Sequence, residues 1–142
     1  MKAKKIKFPW IKLHGLVKIW AAPIGCGLLF LFLLQFVFFV GYVPSKSMEP
    51  AIKKGSFIVG VRNIDRLSRG DIIIFTHKGS LLVKRVDALP GDKVAIGKDI
   101  LTVPEGCCYV LGDNREDSID SRYWEDPFVP LDGIIAKFII IH

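Results

Sequence analysis

Asp71-Ile72-Ile73-Ile74-Phe75-Thr76, followed across Lys78-Gly79 by Leu81-Leu82-Val83-Lys84-Arg85-Val86, reads as a β-hairpin. The first run is apolar without alternation, as in a strand buried on both faces. Lys78-Gly79 is turn chemistry, and the second run returns beside the first. Along it side chains alternate, so Leu82, Lys84 and Val86 share one face and Arg85 takes the other. A lysine flanked by apolar residues has two readings. Either it sits at a sheet edge with its head in water, or it is desolvated. Desolvation pulls a lysine pKa from about 10.4 toward the range of a general base.

The segments around the hairpin extend the β reading. Residues 56–61 form a strand, and Pro90-Gly91 a turn. Residues 93–96 and 100–103 flank Gly97-Lys98-Asp99 as a second hairpin. Residues 108–111 enter a polar loop over 112–122, and residues 133–141 form one long strand. The expected fold class is mostly β, a small β-sheet domain over residues 43–142. Cys107 and Cys108 are adjacent, which suits neither a zinc site nor an ordinary disulfide framework. They are a redox-active vicinal pair, or two small strand residues with one pointing inward.

Charge divides the chain differently. Of 142 residues, 20 are basic and 14 acidic. Six lysines and no acid fall within residues 1–42, so residues 43–142 balance 14 basic against 14 acidic residues. A neutral domain lacks the basic face that nucleic-acid phosphates require. Between Lys18 and Lys46 there is no charge at all, and residues 20–42 would span about 34 Å as a helix. That covers a bilayer core of about 30 Å, with Trp20 and Tyr42 at its two ends. A cleaved signal sequence would have an apolar run of about 7–15 residues and a small-x-small site after it. A buried core helix would be shorter and amphipathic. The division expected is a basic cytoplasmic tail over 1–18, a transmembrane anchor helix over 19–42, and an extracytoplasmic domain over 43–142.

The domain opens on Pro44-Ser45-Lys46-Ser47-Met48-Glu49-Pro50. Two hydroxyls two residues apart can aim at one point. A serine is a nucleophile only beside an activating base. The three histidines are poor candidates: His14 is in the tail, His142 is last, and His77 sits at a hairpin turn with a surface role. Most lysines sit in the tail, in turns or among polar neighbours, whereas Lys84 follows Leu81-Leu82-Val83 and precedes Arg85-Val86, and a Ser-Lys pair is a known substitute for Ser-His. No metal-ligand cluster or cofactor motif appears.

In their order these motifs resemble the type I signal peptidases. Residues 44–50 are similar to the nucleophile box, residues 69–75 to the following strand, and Lys84-Arg85 with Leu89-Pro90-Gly91-Asp92 to the lysine box. Gly112-Asp-Asn-Arg-x-x-Ser118-x-Asp120-Ser121-Arg122-Tyr-Trp124 resembles the last box. The resemblance implies a signal-peptidase-like β-sheet catalytic domain behind one N-terminal transmembrane helix. It implies Ser47 as nucleophile and Lys84 as general base, with an oxyanion held by the Ser45 hydroxyl and the Ser47 N–H. Ser118 would orient Lys84, and Asp120 with Arg122 would form a supporting ion pair. Asp113 and Asn114 would hold the loop's own backbone. Val43, Pro44, Met48, Leu82 and Val83 would line the substrate groove. Two positions depart from the family pattern: Ala88 in the turn after Lys84, and Glu125 at the cleft edge, where members usually carry Gly.

The function so implied is removal of signal peptides from exported precursors, cutting after Ala-x-Ala-type small residues, in the cytoplasmic membrane and without a cofactor. The alternative is a related Ser-Lys peptidase dedicated to a conjugation or secretion system, processing a pilin-like precursor. A catalytically silent anchored binding domain is a third class, free to lose Ser45, Ser47, Lys84 and Ser118. A self-cleaving repressor would carry a DNA-binding segment in place of the anchor.

Overall fold

The computed structural model describes residues 10–139. The far end of the expected last strand, residues 140–141, and the first half of the basic tail, residues 1–9, lie outside that range. The chain forms two units, residues 1–36 and 37–142.

The described part of the first unit is helical, within α1, Trp10–Val37, whose last residue opens the second unit. Within it Ile19–Val37 is long and apolar enough to cross a membrane, about 28 Å at about 1.5 Å per residue. Pro23 lies inside the helix. The helix begins at Trp10, within the residues expected as tail. It ends five residues before the expected Tyr42. Phe38–Tyr42 is instead a strand, β1. Aromatic and β-branched residues with Gly41 are weak helix formers and good strand formers. Each of the five pairs with β2, Phe57–Val61, from Phe38 opposite Val61 to Tyr42 opposite Phe57.

The second unit holds β1, β2, β3 (Ile72–His77), β4 (Ser80–Ala88), β7 (Cys107–Leu111), β8 (Phe128–Pro130) and β9 (Ile134–Phe138) in one sheet. Their order is β1-β2-β9-β3-β4-β7-β8, with antiparallel neighbours. β5 (Lys93–Ile96) and β6 (Asp99–Thr102) form a separate ribbon. The β3–β4 loop is Lys78-Gly79, both at positive φ, which suits the two-residue turn whose twist matches the strands. β8 was not expected because Pro127 precedes it and Pro130 ends it; at the sheet edge a proline costs no ladder bond.

The β3 strand is buried on both faces, as its unbroken apolar run requires. Ile72 and Ile74 pack with Val43, Met48, Ile52, Ile58 and Ala136 on one side. Ile73 and Phe75 pack with Val86, Cys108, Val110 and Val129 on the other. A third cluster around Val94, Val103 and Tyr109 includes Ala88. Ala88 therefore lies in a buried strand end, not in a turn. Cys108 is in the core and Cys107 is half-buried; both are free thiols.

Candidate active site

Val43 and the following turn are fastened at both ends. Val43 N–H donates to Ser56 O, Gly55 N–H to Val43 O, and Ile52 N–H to Met48 O, at 3.0, 2.8 and 2.8 Å. Met48 and Ile52 enter the core and anchor the turn from below. Ser47 is thereby held largely buried, with its Oγ 3.2 Å from that of the exposed Ser45. Its carbonyl accepts the Asn114 N–H at 3.0 Å, tying the turn to the 112–122 loop.

The β4 strand presents Lys84 opposite Ile73, with 3% of the residue exposed. Lys84 Nζ donates to Ser118 Oγ at 3.0 Å. Burial lowers the Lys84 pKa; Asp120 pulls it up and Arg122 lowers it further. The sheet-edge reading with a solvated head does not hold. No hydrogen bond joins Ser47 to Lys84 in this state; each hydroxyl and amine has its own partner.

The loop is built around Asp120, which is fully buried. Its carboxylate accepts from Gly112 N–H at 2.9 Å, from Ser118 Oγ at 2.7 Å, and from Arg122 Nε and Nη2 at 2.8 and 3.0 Å. Burial pushes this carboxyl up, but the Arg122 fork, the Gly112 amide and the Ser118 hydroxyl outweigh it and hold the pKa low. Arg122 Nη2 also donates to Arg115 O at 2.8 Å, closing the loop on itself.

A cleft of about 320 Å³ unites these parts. Ser45, Ser47 and Lys84 line it, together with Val43, Pro44, Met48, Leu82 and Val83. Phe39 and Tyr42 of β1 also line it, as do Asp117 and Ile119 of the loop. Ser118, Asp120 and Arg122 stand behind Lys84 rather than in the cleft wall.

Other expectations are corrected. Asp113 does not hold its own loop's backbone: it takes both Nε and Nη2 of Arg85, at 2.7 and 2.6 Å, while Arg85 Nη1 reaches Gly70 O. Asn114 fastens the serine turn through its backbone N–H. Glu125 is exposed, 3.9 Å from Lys78, and is absent from the cleft lining. His77 is no free surface residue: its ring stacks on Trp124 at 4.0 Å and its Nε2 is enclosed without a hydrogen-bond partner. His142 lies outside the described residues.

The sequence reading also missed two residues. Arg85 clamps the loop to β4 across 28 positions, and only the fold brings Asp113 to it. Gly112 is the second. A Cβ there would collide with the Ser118 side chain and stand 2.6 Å from Ser47 O. Its position at the end of a buried strand, opening a polar loop, was the available signal.

The family model described as signal peptidase, peptidase S26, matches residues 16–103 and 97–142. The chain is 32% identical to a signal peptidase I of Bacillus caldolyticus, over 72% of this chain and 78% of that one. It is 29% identical to a probable signal peptidase I-2 of Synechocystis, over 70% of this chain and 60% of that one. A solved signal peptidase I from Enterococcus faecalis is 27% identical, with a TM-score of 0.45, covering 52% of this chain and 97% of that one. With the family matched over most of its length, the chain belongs to the S26 signal peptidases and is a peptide-bond hydrolase.

Proposed function

We propose that the chain is a membrane-anchored serine endopeptidase that removes N-terminal signal peptides from exported precursors. Ser47 is the nucleophile and Lys84 the general base. The observation that carries this reading is the Lys84 ammonium: buried, lowered in pKa, and lining the same cleft as Ser47. Burial shifts this amine toward its neutral form, the form a general base needs, which an exposed lysine would not gain.

In this mechanism Lys84 takes the Ser47 proton as Oγ attacks the scissile carbonyl. The Ser45 hydroxyl and the Ser47 N–H stabilise the oxyanion. Lys84 then gives its proton to the leaving amine, and an acyl-enzyme remains. Water, deprotonated by Lys84, releases it. The Lys84–Ser47 hydrogen bond forms when substrate binds and excludes water, since catalytic hydrogen bonds are commonly long or unformed in empty sites. The precursor lies extended along the cleft between Val43 and Leu82, adding a strand to the sheet. The small apolar cleft suits small side chains of the Ala-x-Ala type. The α1 helix is the anchor, with the lysine-rich N-terminus cytoplasmic and the sheet domain on the opposite side.

The test is cleavage of a model secretory precursor by the purified chain in detergent. Cutting by the wild type and none by Ser47→Ala is the expected result. Cutting confined to a pilin-type precursor would favour a dedicated peptidase, and equal cutting by Ser47→Ala would remove Ser47 from the mechanism.

A further inference from the structure

The cleft is lined mainly by apolar groups, and among the described residues that line it two are charged, Lys84 and Asp117. Asp117 differs from the carboxylates around it. Asp113 is held by Arg85, Asp120 by Arg122, and Asp87 faces Arg115 at 3.7 Å. Among the described residues no lysine, arginine or histidine comes within 4.0 Å of Asp117. Its hydrogen bond is from Asn114 Nδ2, at 3.4 Å, and the residue is exposed.

Its place in the chain puts this charge near the chemistry. Asp117 precedes Ser118, whose hydroxyl touches Lys84 Nζ, and one peptide unit of about 3.8 Å separates their Cα atoms. Ile119, on the other side of Ser118, lines the same wall and is exposed. The neighbouring arginines are engaged elsewhere, so the carboxylate's field falls on whatever occupies the cleft. An exposed charge at the edge of a binding cleft attracts the opposite sign and repels its own.

We propose that Asp117 determines specificity: it favours substrates with Lys or Arg within about two residues of the scissile bond, and disfavours Asp or Glu there. Two residues of extended chain span about 7 Å, a distance a long basic side chain bridges. This inference rests on the reading of Ser47 and Lys84 as the reacting pair.

The experiment takes one neutral parent peptide with Ala at the first and third positions before the cut. Lys or Glu is placed in turn at the second position before the cut and at the two positions after it. The full chain in detergent is assayed as wild type, Ser47→Ala and Asp117→Asn, at low and high salt. Cleavage of the parent by wild type and not by Ser47→Ala supports the reacting pair; its failure overturns that reading and the inference with it. The inference itself is read from the Lys-to-Glu ratio of kcat/KM, which does not depend on how much of a variant folds. At one of the scanned positions the wild-type ratio is expected to be about fivefold. It should shrink at high salt and fall toward one in Asp117→Asn. A ratio equal in wild type and Asp117→Asn at every position, with the parent still cut, overturns the proposal and leaves the Ser47–Lys84 reading intact.

Discussion

Lys84 Nζ donates a 3.0 Å hydrogen bond to Ser118 Oγ, and among the described residues no carboxylate lies within 4.0 Å of that ammonium. The Ser118 hydroxyl accepts from Lys84 and donates its own hydrogen bond to Asp120 at 2.7 Å. Lys84 is thus oriented by a neutral group, with the nearest full charge one bond farther back. A direct carboxylate would hold the ammonium protonated; a hydroxyl positions it and raises its pKa far less.

Removing that hydroxyl should therefore act in two ways. Ser118→Ala frees the amine to wander, with a loss of about 100-fold in kcat. It also removes a partner of the charged form, so the rising limb of the pH–rate profile should move to lower pH. A purely structural role for Ser118 would lower the rate without moving the limb.

The buried Lys84 is a cost to the fold. Between its lowered folded pKa and about 10.4, the unfolded chain binds more protons than the native one. Stability should therefore rise with pH across that window. Lys84→Met, apolar and of similar length, should flatten this slope and raise the neutral-pH stability by about 1 kcal/mol. Thermal unfolding in detergent as a function of pH measures both.

Asp120 has the opposite sign. Its folded pKa is depressed, so its contribution is complete above about 3.9 and is lost as pH falls through the folded value. Asp120→Asn should cost about 2 kcal/mol at neutral pH, since Arg122 loses its charge partner. It should also weaken the dependence of stability on pH below about 4. Acid unfolding curves of the two proteins make the comparison.

Gly112→Ala tests the junction between the two catalytic segments. The added Cβ meets Ser118 and Ser47 O, both fixed by their own hydrogen bonds. Overpacking of this kind costs about 1–3 kcal/mol, and here it displaces both sides of the site together. The expected result is a fall in kcat of at least about tenfold at a temperature where circular dichroism still reports a folded sheet.

The thiols should separate cleanly. Burial, with a smaller effect of Cys107, pushes the Cys108 thiol up to about 12, whereas Cys107 is raised less and is half-buried. Mild alkylation of the native protein should modify Cys107 slowly and Cys108 not at all, with both reacting after unfolding.

Strands with a strong period or an unbroken apolar run were legible from composition: β3, β4 and the β5–β6 ribbon stand where their side chains require. What escaped depended on partners distant in sequence. Residues 38–42 read as membrane helix because Phe and Val are apolar in either setting. Only pairing with β2 makes them a strand, and that pairing is set by residues 57–61. β8 was hidden by prolines that an edge position tolerates. The alternation placing Lys84 among apolar residues was readable, but its shielding from water was not. That shielding needs the 112–122 loop, whose Asp113 is clamped by Arg85 and whose Gly112 lets Ser118 approach. The cleft also takes residues from β1, β4 and two loops, a convergence no single stretch encodes.

The central claim is that Lys84 is the base for Ser47, and it is tested most directly by the pH–rate profile of Lys84→Ala beside the wild type, on one precursor in detergent. The account predicts a wild-type kcat/KM that rises with pH through an apparent pKa below 10.4. In the variant that limb should be absent and the rate lower by about 10²- to 10⁴-fold. Wild-type rates in Lys84→Ala, with the limb unchanged, would contradict it.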